Sequence, residues 1–545
     1  MDVKKRRVVY WGTGEISTNL SLEKVLPEAE CYIDNSIEKR GKDLLGKSIL
    51  HPLDIQDWKC WYIVIATDYY IEIANQLVSY GLTEREDFIY YKDFFDDAST
   101  EGLIDEVINS IKSLEGKYKE FQNKILIFAD FVSYDKGICH FVNQWDKLLG
   151  QHKLLLFSEA TWLSMEQTKK KIGIDCFILP KMFGKNYYPK KEPQKDIREN
   201  YEEECLDIDY MCYAARNLRM RHADMQQGYE YLFCHYAVFF IEAVLQQFHP
   251  KEVVVWNAFH AFHHIICNLC EKYQVKIIYM EFGNIPGTIF MEKVGQMGES
   301  LPARYPETFL QIQVTKEELC KAARIRDHLR NTGLNRNTQP EESIEEDMNR
   351  KIKKGRPVIF YAGQNDFESG LQPYNENARQ FHSPVFKSSL EAAIALAGIC
   401  DKNDWNFIYK PHPIMDMFSE KKDRILPKSA IVIYKANINE LIDFSDVTIT
   451  ILSTVCYTSL IRGKATLMLG YTQLKDKGCT YQAFQMNQIE STLKLALRSG
   501  FTQTQETAFI KHISQLLKYN SYYDLKERDL IYGKSLEKQE MEKSY

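Results

Sequence analysis

Several features that assign a chain to a class at once are missing from this one. Regular cysteine spacing is absent: thirteen cysteines are scattered, mostly within apolar segments such as those holding Cys31, Cys60, Cys456 and Cys479. An odd, unspaced set argues against a disulfide framework and for a reducing compartment. Long hydrophobic runs are absent too. A spanning helix needs ~18–20 apolar residues, and the longest candidate, 236–245, is interrupted by Glu242. A strong charge of either sign is lacking, with 69 basic against 75 acidic residues and a net charge of −6. That balance gives no general pull toward nucleic acid. Neither a repeat at solenoid periods nor a low-complexity segment occurs. The opening MDVKKRRVVYWGTG sets a basic run before an apolar one, as a signal peptide does. The apolar run covers only 8–11 before a glycine turn, and reads as a first strand. The expectation is a cytosolic protein, with peripheral attachment to a membrane complex left open.

What is present is an ordinary globular composition, 45% hydrophobic over 545 residues. At roughly 100–200 residues per domain, about three domains are expected. Short apolar runs alternate with helical stretches almost throughout. They fall at 8–11, 63–66, 125–129, 154–157, 253–256 and 276–280, and again at 358–361, 407–409, 431–434, 447–451 and 466–469. Continuous apolar strands separated by helices predict parallel sheets covered on both faces, an α/β fold used more than once. A charged helical stretch at 96–123 and a polar segment at 330–355 suggest boundaries. The expected parts are therefore a Rossmann-like module (1–98), a helical linker (99–122), one α/β lobe (123–340), a second (355–485), and C-terminal helices with a polar tail (486–545). The Lys-rich stretch 181–204 reads as a solvated loop, with a segment covering an active site as the alternative.

In the first module a strand runs into Gly12-Thr13-Gly14-Glu15-Ile16-Ser17 and then a helix. Gly12 permits the tight turn and Gly14 lets backbone approach a phosphate at the helix N-terminus. Ser17 replaces the usual third small residue, at a small expected loss in helix–strand packing. A second strand ends at Asp34, placed to bond a ribose hydroxyl. The turn can hold NAD, a mononucleotide or nothing. Within this module no Tyr-x-x-x-Lys pair is in place, so an oxidoreductase reading lacks its chemistry. The segments GTGEIS, YIDNSIEKRGKDLLGKSILHP and YIVIATDYYIEIANQLVSYGLTEREDFIYY resemble the small Rossmann-like modules attached to bacterial surface-sugar enzymes, over about residues 5–95. That resemblance implies a nucleotide-binding or accessory role.

Four constellations further on can carry chemistry. A strand ends in Trp256-Asn257, and a second, after a helix, runs into Glu281-Phe282-Gly283 before Pro286-Gly287. Strand C-termini form the ligand crevice of parallel α/β domains, so Glu281 can act as acid, base or nucleophile there. A helix-capping or solvated Glu is the plainer reading. His260, His263, His264, Cys267 and Cys270 share much of one helical face. That could be a metal site, but without a carboxylate in the run it reads as core packed on a sheet, and no metal is expected. Next, Lys410-Pro411-His412-Pro413 follows a strand directly, and two prolines fix a histidine and a lysine suited to a departing phosphate. A rigid loop with an exposed His is the alternative. Finally, Ser453-Thr454 ends a strand and starts a helix, where hydroxyls can cap the helix and hold a phosphate. An Asp-x-Asp pair at Asp207 and Asp209 lies in a charged stretch and reads as surface.

Together these segments resemble the capsular polysaccharide synthesis proteins, a family that includes retaining β-Kdo transferases with GT-B-like lobes. The matching residues are Lys410 to Pro413, Ser453-Thr454, Arg462-Gly463-Lys464 and Gly478 to Thr480, with Glu281, Gly283, Pro286, Gly287, Thr288, Glu292 and Gly295 in the earlier lobe. Three departures stand out: Thr458 and Ser459 where a Glu is usual, Ala465 for Pro, and Glu292 for Asp. The resemblance implies a glycosyltransferase of capsular or surface polysaccharide synthesis with two GT-B-like, Rossmann-type lobes. It implies a nucleotide-sugar donor (Kdo from CMP included) and a glycan or glycolipid acceptor, and no required cofactor. Glu281 and His412 would be catalytic. Lys410, Ser453, Thr454, Arg462, Lys464, Gly283 and Asn257 would bind substrate. A polyol-phosphate transferase and a non-catalytic nucleotide-binding scaffold remain the alternatives.

Overall fold

The computed structural model describes residues 6–23, 26–67, 69–84, 86–91, 100–115, 122–129, 154–158, 175–183, 229–335, 339–340, 343–412 and 426–523. Asp207, Asp209, Pro413, most of 181–204 and the tail beyond 523 lie outside these. The fold is α/β, and it divides into two compact units, one drawn from 1–118 and 128–190 and the other from 119–127 and 191–545.

The first unit is built on β1 (Arg7–Trp11), α1 (Glu15–Glu23), β2 (Cys31–Ile33), β3 (Asp43–Leu44), β4 (Lys47–Leu50), β5 (Trp61–Ile65), α2 (Tyr70–Ser79) and β6 (Phe88–Tyr90). Its sheet runs β3-β4-β2-β1-β5-β6, parallel except for the β3–β4 hairpin. This is a Rossmann-like order, with the first strand central and the chain winding outward both ways. β5 is buried along its whole length, as a strand covered on both faces must be. The unit also holds α3 (Thr100–Leu114) and a parallel pair, β8 (Leu154–Ser158) and β9 (Asp175–Ile178).

The second unit carries two separate sheets. One contains β7 (Ile125–Ala129), β10 (Glu252–Trp256), β11 (Lys276–Phe282), β12 (Thr288–Glu292) and β19 (Ser521–Tyr523), in the order β19-β12-β11-β10-β7. β7, β10 and β11 are parallel; β12 and β19 are antiparallel additions. Two helices belong with it, α4 (Tyr229–Phe248) and α5 (Ala261–Lys272). The apolar run around Glu242 lies in α4, most of whose apolar side chains are buried. Among the described residues no helix is long and apolar enough to cross a membrane. The other sheet is parallel throughout, ordered β15-β14-β13-β16-β17-β18. Its strands are β13 (Val358–Ala362), β14 (Asn406–Lys410), β15 (Ala430–Val432), β16 (Val447–Thr450), β17 (Ala465–Met468) and β18 (Tyr481–Gln482).

Two departures from the expected boundaries follow from packing. The helix α6 (Lys316–Thr332) precedes the polar segment at 330–355, yet it packs with α7 (Val455–Ile461) and α8 (Gln503–Tyr519) of the later region. Ala322, Ile325 and Leu329 share one core with Tyr457, Leu460, Phe509 and Ile513. The segment after 485 is also no appendage. α8 leads into β19, which pairs with β12 and so returns the chain to the earlier sheet.

Candidate functional site

In the first unit the glycine turn has a tight and an open half. Gly12 has φ +121°, and a Cβ there would lie 2.7 Å from the Ala66 carbonyl oxygen. Gly14 has nothing within 4 Å of such a Cβ, so space for a ligand exists above it. Ser17 is fully buried, with its hydroxyl 2.7 Å from the Gly12 carbonyl and 3.1 Å from that of Ala66. The expected packing loss is thus offset by a hydrogen bond into the turn. Asp34 is engaged: it accepts from Thr13 Oγ1, from Lys39 Nζ at 2.9 Å and from the Ser36 N–H at 2.9 Å. Burial alone would raise its carboxyl, but these donors outweigh burial and hold it below its ordinary value.

In the second unit's all-parallel sheet, successive strands deliver their following loops to one edge. β14 ends at Lys410, with His412 next but one; β13 ends before Gly363; β16 ends three residues before Ser453. Since β13 lies between β14 and β16, these three loops are neighbours. They are tied to one another. The Gly363 N–H donates to the Lys410 carbonyl at 2.8 Å, and Leu452 N–H donates to Gln364 Oε1 at 2.7 Å. Ser453 Oγ accepts from Val455 N–H at 3.3 Å, and Thr454 makes no side-chain capping bond. Behind this edge sits a polar network that the sequence reading passed over. Asp366 is buried and accepts from the Ser389 N–H and hydroxyl, and Gln364 donates to Ser369 Oγ at 3.0 Å. The signal was available: Gln-Asn-Asp directly after the apolar run VIFYAG is a costly place for polar side chains unless they are paired.

Arg462 and Lys464 stand elsewhere. Arg462 pairs with Asp443, and Lys464 Nζ donates to the carbonyls of Asp443 and Ser445 at 2.6 and 3.0 Å. Those partners precede β16, and Lys464 precedes β17, so the pair lies at the amino edge of this sheet, away from the Lys410 and Ser453 loops. Ser459 is buried and accepts from Thr466 Oγ1 at 2.8 Å.

Glu281 is the penultimate residue of β11, one step inside the expected strand end, because its backbone pairs with Phe290 of β12. Gly283 is required sterically: a Cβ there would sit 1.9 Å from Thr288 Oγ1. Asn257 has φ +55° at the end of β10, and its Nδ2 donates to the Glu368 carbonyl at 3.1 Å. Asn284 Nδ2, just past β11, donates to Gln473 Oε1 at 2.9 Å, beyond β17. These two bonds join the carboxyl edges of the two sheets, the edges at which α/β proteins place their ligands.

Beside the Asn257–Glu368 junction opens a cavity of about 780 Å³, which runs from Phe259 and the segment around Tyr374 along α5 and β11 toward Ile277; Glu281, Lys410, His412, Ser453 and Thr454 are not among its lining residues. The histidine-cysteine helix divides over it. His264, Cys267, Asn268 and Glu271 line it, while His263 and Cys270 are buried in the core. His263 Nδ1 accepts the Trp256 N–H at 3.2 Å, a structural bond. Among the described residues no cluster of metal-ligand type occurs. Across the cavity, Glu299 Oε1 accepts from Asn377 Nδ2 at 2.7 Å and lies 3.2 Å from Nε2 of the fully buried His382. Phe259 meets the His382 ring edge-on at 4.9 Å. Glu292 is spent on structure: it accepts from the N–H groups of Gly295 and Leu301, and burial pushes its carboxyl up to about 7.

Residues 4–87 match the family described as C2185-like, N-terminal. No curated protein matches the chain. Among solved structures, a Thermosulfurimonas dismutans KpsC β-Kdo 2,7-transferase is similar at 16% identity over 57% of this chain and 88% of its own, with a TM-score of 0.33. The β-Kdo 2,4-transferase of that KpsC gives 16% over 48% and 79%, with a TM-score of 0.35. A UDP-GlcNAc 2-epimerase from Neisseria meningitidis, solved with UDP-GlcNAc bound, gives 12% over 72% and 98%, with a TM-score of 0.31.

Proposed function

We propose that the second unit is a glycosyltransferase of surface-polysaccharide synthesis. The observation that carries this reading is the meeting of two carboxyl sheet edges, bonded through Asn257–Glu368 and Asn284–Gln473, with a cavity opening beside the first of these bonds. The nucleotide of an activated sugar would lie along the loops after β13, β14 and β16, where Lys410 and His412 hold the departing phosphate and Ser453 and Thr454 add donors. Glu281 would serve the anomeric carbon or the acceptor hydroxyl. In the transfer, the bond from the anomeric carbon to phosphate oxygen breaks and its electron pair leaves with the nucleotide. The acceptor oxygen forms the new bond and loses its proton to a base. The charge built up is positive on the sugar and negative on phosphate, which one carboxylate and cationic side chains suffice to stabilise. Kdo carried by CMP is the finer form of this reading, from the resemblance of the Lys-Pro-His-Pro, Ser-Thr and Glu-Phe-Gly segments. The first unit would then be accessory, with nucleotide or NAD as its ligand if it has one, and the acceptor could be lipid-linked at a membrane face.

The test is a thermal-shift series with CMP, UDP, GDP, CDP and NAD, followed by product analysis with the sugar nucleotide that binds. A new glycosidic bond supports the proposal. A phosphodiester product replaces it with polyol-phosphate transfer. Binding without turnover of any activated sugar replaces it with a scaffold role.

A further inference from the structure

We propose that the cavity between α5 and the loop containing Tyr374 and Asn377 is a saccharide subsite for neutral or amino sugar units. This rests on the transferase reading, for which it would hold the acceptor. The walls combine two kinds of group that sugars require together. Tyr279 and Tyr374 supply aromatic surface for the C–H face of a pyranose ring. Asn268, whose Nδ2 lies 3.3 Å from His264 Nε2, still offers its carbonyl oxygen and a second N–H, and Asn375, whose Oδ1 accepts the Ala378 N–H at 2.9 Å, still offers its Nδ2 to hydroxyls. The volume of about 780 Å³ lies within the roughly 300–1,000 Å³ of small-molecule sites.

Glu299 gives the cavity its anchor. Its Oε1 is fixed by Asn377 and His382, and its Oε2 has no hydrogen-bond partner among the described residues while the side chain remains 24% exposed. A fixed carboxylate oxygen open to a cavity accepts strongly from a sugar hydroxyl or an ammonium group. Burial would raise this carboxyl, but the bonds and charge of His382, with Asn377 and the nearby His264, hold it below its ordinary value. It is therefore ionised at neutral pH.

Charge sets the selectivity. Glu299 and Glu271 both face the cavity; the lysine among its lining residues, Lys293, is paired with Glu252. An incoming phosphate or sugar carboxylate would meet two carboxylates, and the cationic groups on the walls are already engaged: His382 and His264 beside Glu299, Lys293 with Glu252. This separates the cavity from the Lys410–His412 edge, which suits an anion.

The experiment uses the full chain and saturation-transfer NMR with four probes: the methyl glycosides of glucose, N-acetylglucosamine, glucosamine and glucuronic acid. CMP and UDP serve as competitors. The expected result is binding of the first three, at least tenfold weaker binding of the glucuronide, and no displacement by nucleotide. Glu299→Gln should weaken sugar binding tenfold or more and leave nucleotide binding unchanged. Tyr374→Ala should do the same by removing the ring face, so that a folding defect in one variant does not decide the matter. Equal binding of the glucuronide, displacement by CMP or UDP, folded variants with unaltered sugar affinity, or no glycoside binding at all would each overturn the subsite. Transfer activity with Glu299-independent acceptor binding would sink this inference and keep the transferase. Glu299-dependent sugar binding without transfer to any acceptor would do the reverse.

Discussion

The first unit's glycine turn and the second unit's loop edge begin from the same pattern, an apolar parallel strand followed by a turn and a helix. They end differently. At the first, the acidic residue placed for a ribose is held by Thr13, Lys39 and the Ser36 N–H, and Ser17 fills the turn beneath. At the second, the internal bonds run between neighbouring loops, through Gly363 to Lys410 and Gln364 to Leu452, and tie a row of side chains along one edge. A second sheet edge is bonded to the same side through Asn257 and Asn284, and a cavity opens beside the Asn257 junction. The strand–turn–helix pattern alone therefore does not mark a site. What marks it is whether the polar groups at the strand ends are satisfied locally or are held in place facing another surface.

The largest effect that could break this comparison is on turnover. Glu281→Gln keeps shape and removes charge, so nucleotide binding should persist while transfer is lost. His412→Ala should weaken nucleotide binding and lower the rate by about 10²–10³, the usual cost of one donor to a developing anion. Steady-state kinetics with nucleotide titrations reads both. A Glu281→Gln enzyme with undiminished activity on its donor and acceptor would remove the second unit's edge from the chemistry.

The next effect is on folding, and it is expected in both units. Gly283→Ala drives a methyl into Thr288, whose hydroxyl sits 1.9 Å from the new carbon. Gly12→Ala meets the Ala66 carbonyl and a positive φ together. Each should cost at least about 1–3 kcal/mol in denaturant unfolding. Unchanged midpoints would show that the close approaches relax freely.

Glu292 offers a comparable, pH-dependent handle on the second unit. Its folded carboxyl, near 7, lies above the ordinary 4.5, so the native state binds the proton more tightly than the unfolded one. Its contribution is complete below about pH 4.5 and lost as pH rises through 7. The change is on the order of 3 kcal/mol. Urea titrations from pH 5 to 8 should show this decline in the native chain and a flatter profile in Glu292→Gln. Parallel profiles would mean that the carboxyl titrates normally.

The strands were legible because they are continuous apolar runs: those found at 125–129, 253–256, 358–361 and 447–451 lie on β7, β10, β13 and β16. β12 and β19 were not, since both add to the sheet as antiparallel edge elements and β19 pairs across more than 200 residues of chain. The same distance hid the cavity. Glu299 sits in a short turn and His382 follows a six-residue helix, and nothing local in either segment names the other. In the run from His260 to Cys270, helical spacing predicted a shared face, but only packing decides that His263 and Cys270 enter the core while His264 and Cys267 line a wall. Arg462 and Lys464 show the opposite trap. The resemblance assigned these two cations, which follow a helix, to substrate, and in space they hold the Asp443–Ser445 turn at the other edge of the sheet.

The smallest expected effect sharpens the comparison most. Gly14 has open space where a Cβ would go, so Gly14→Ala should leave unfolding midpoints within about 0.5 kcal/mol of the native chain, unlike Gly12→Ala. The same methyl would stand where backbone must approach a phosphate, if the first unit takes one. A thermal shift induced by NAD that disappears in Gly14→Ala would place a dinucleotide on the first unit. It would also mean that the Asp34 network opens for a ribose, against the contrast drawn between the two units. A CMP or UDP shift that survives Gly14→Ala and falls in His412→Ala would assign the nucleotide to the second unit. The bonds from Thr13 and Lys39 to Asp34 favour that second outcome, because a ribose hydroxyl must displace two donors to gain one acceptor.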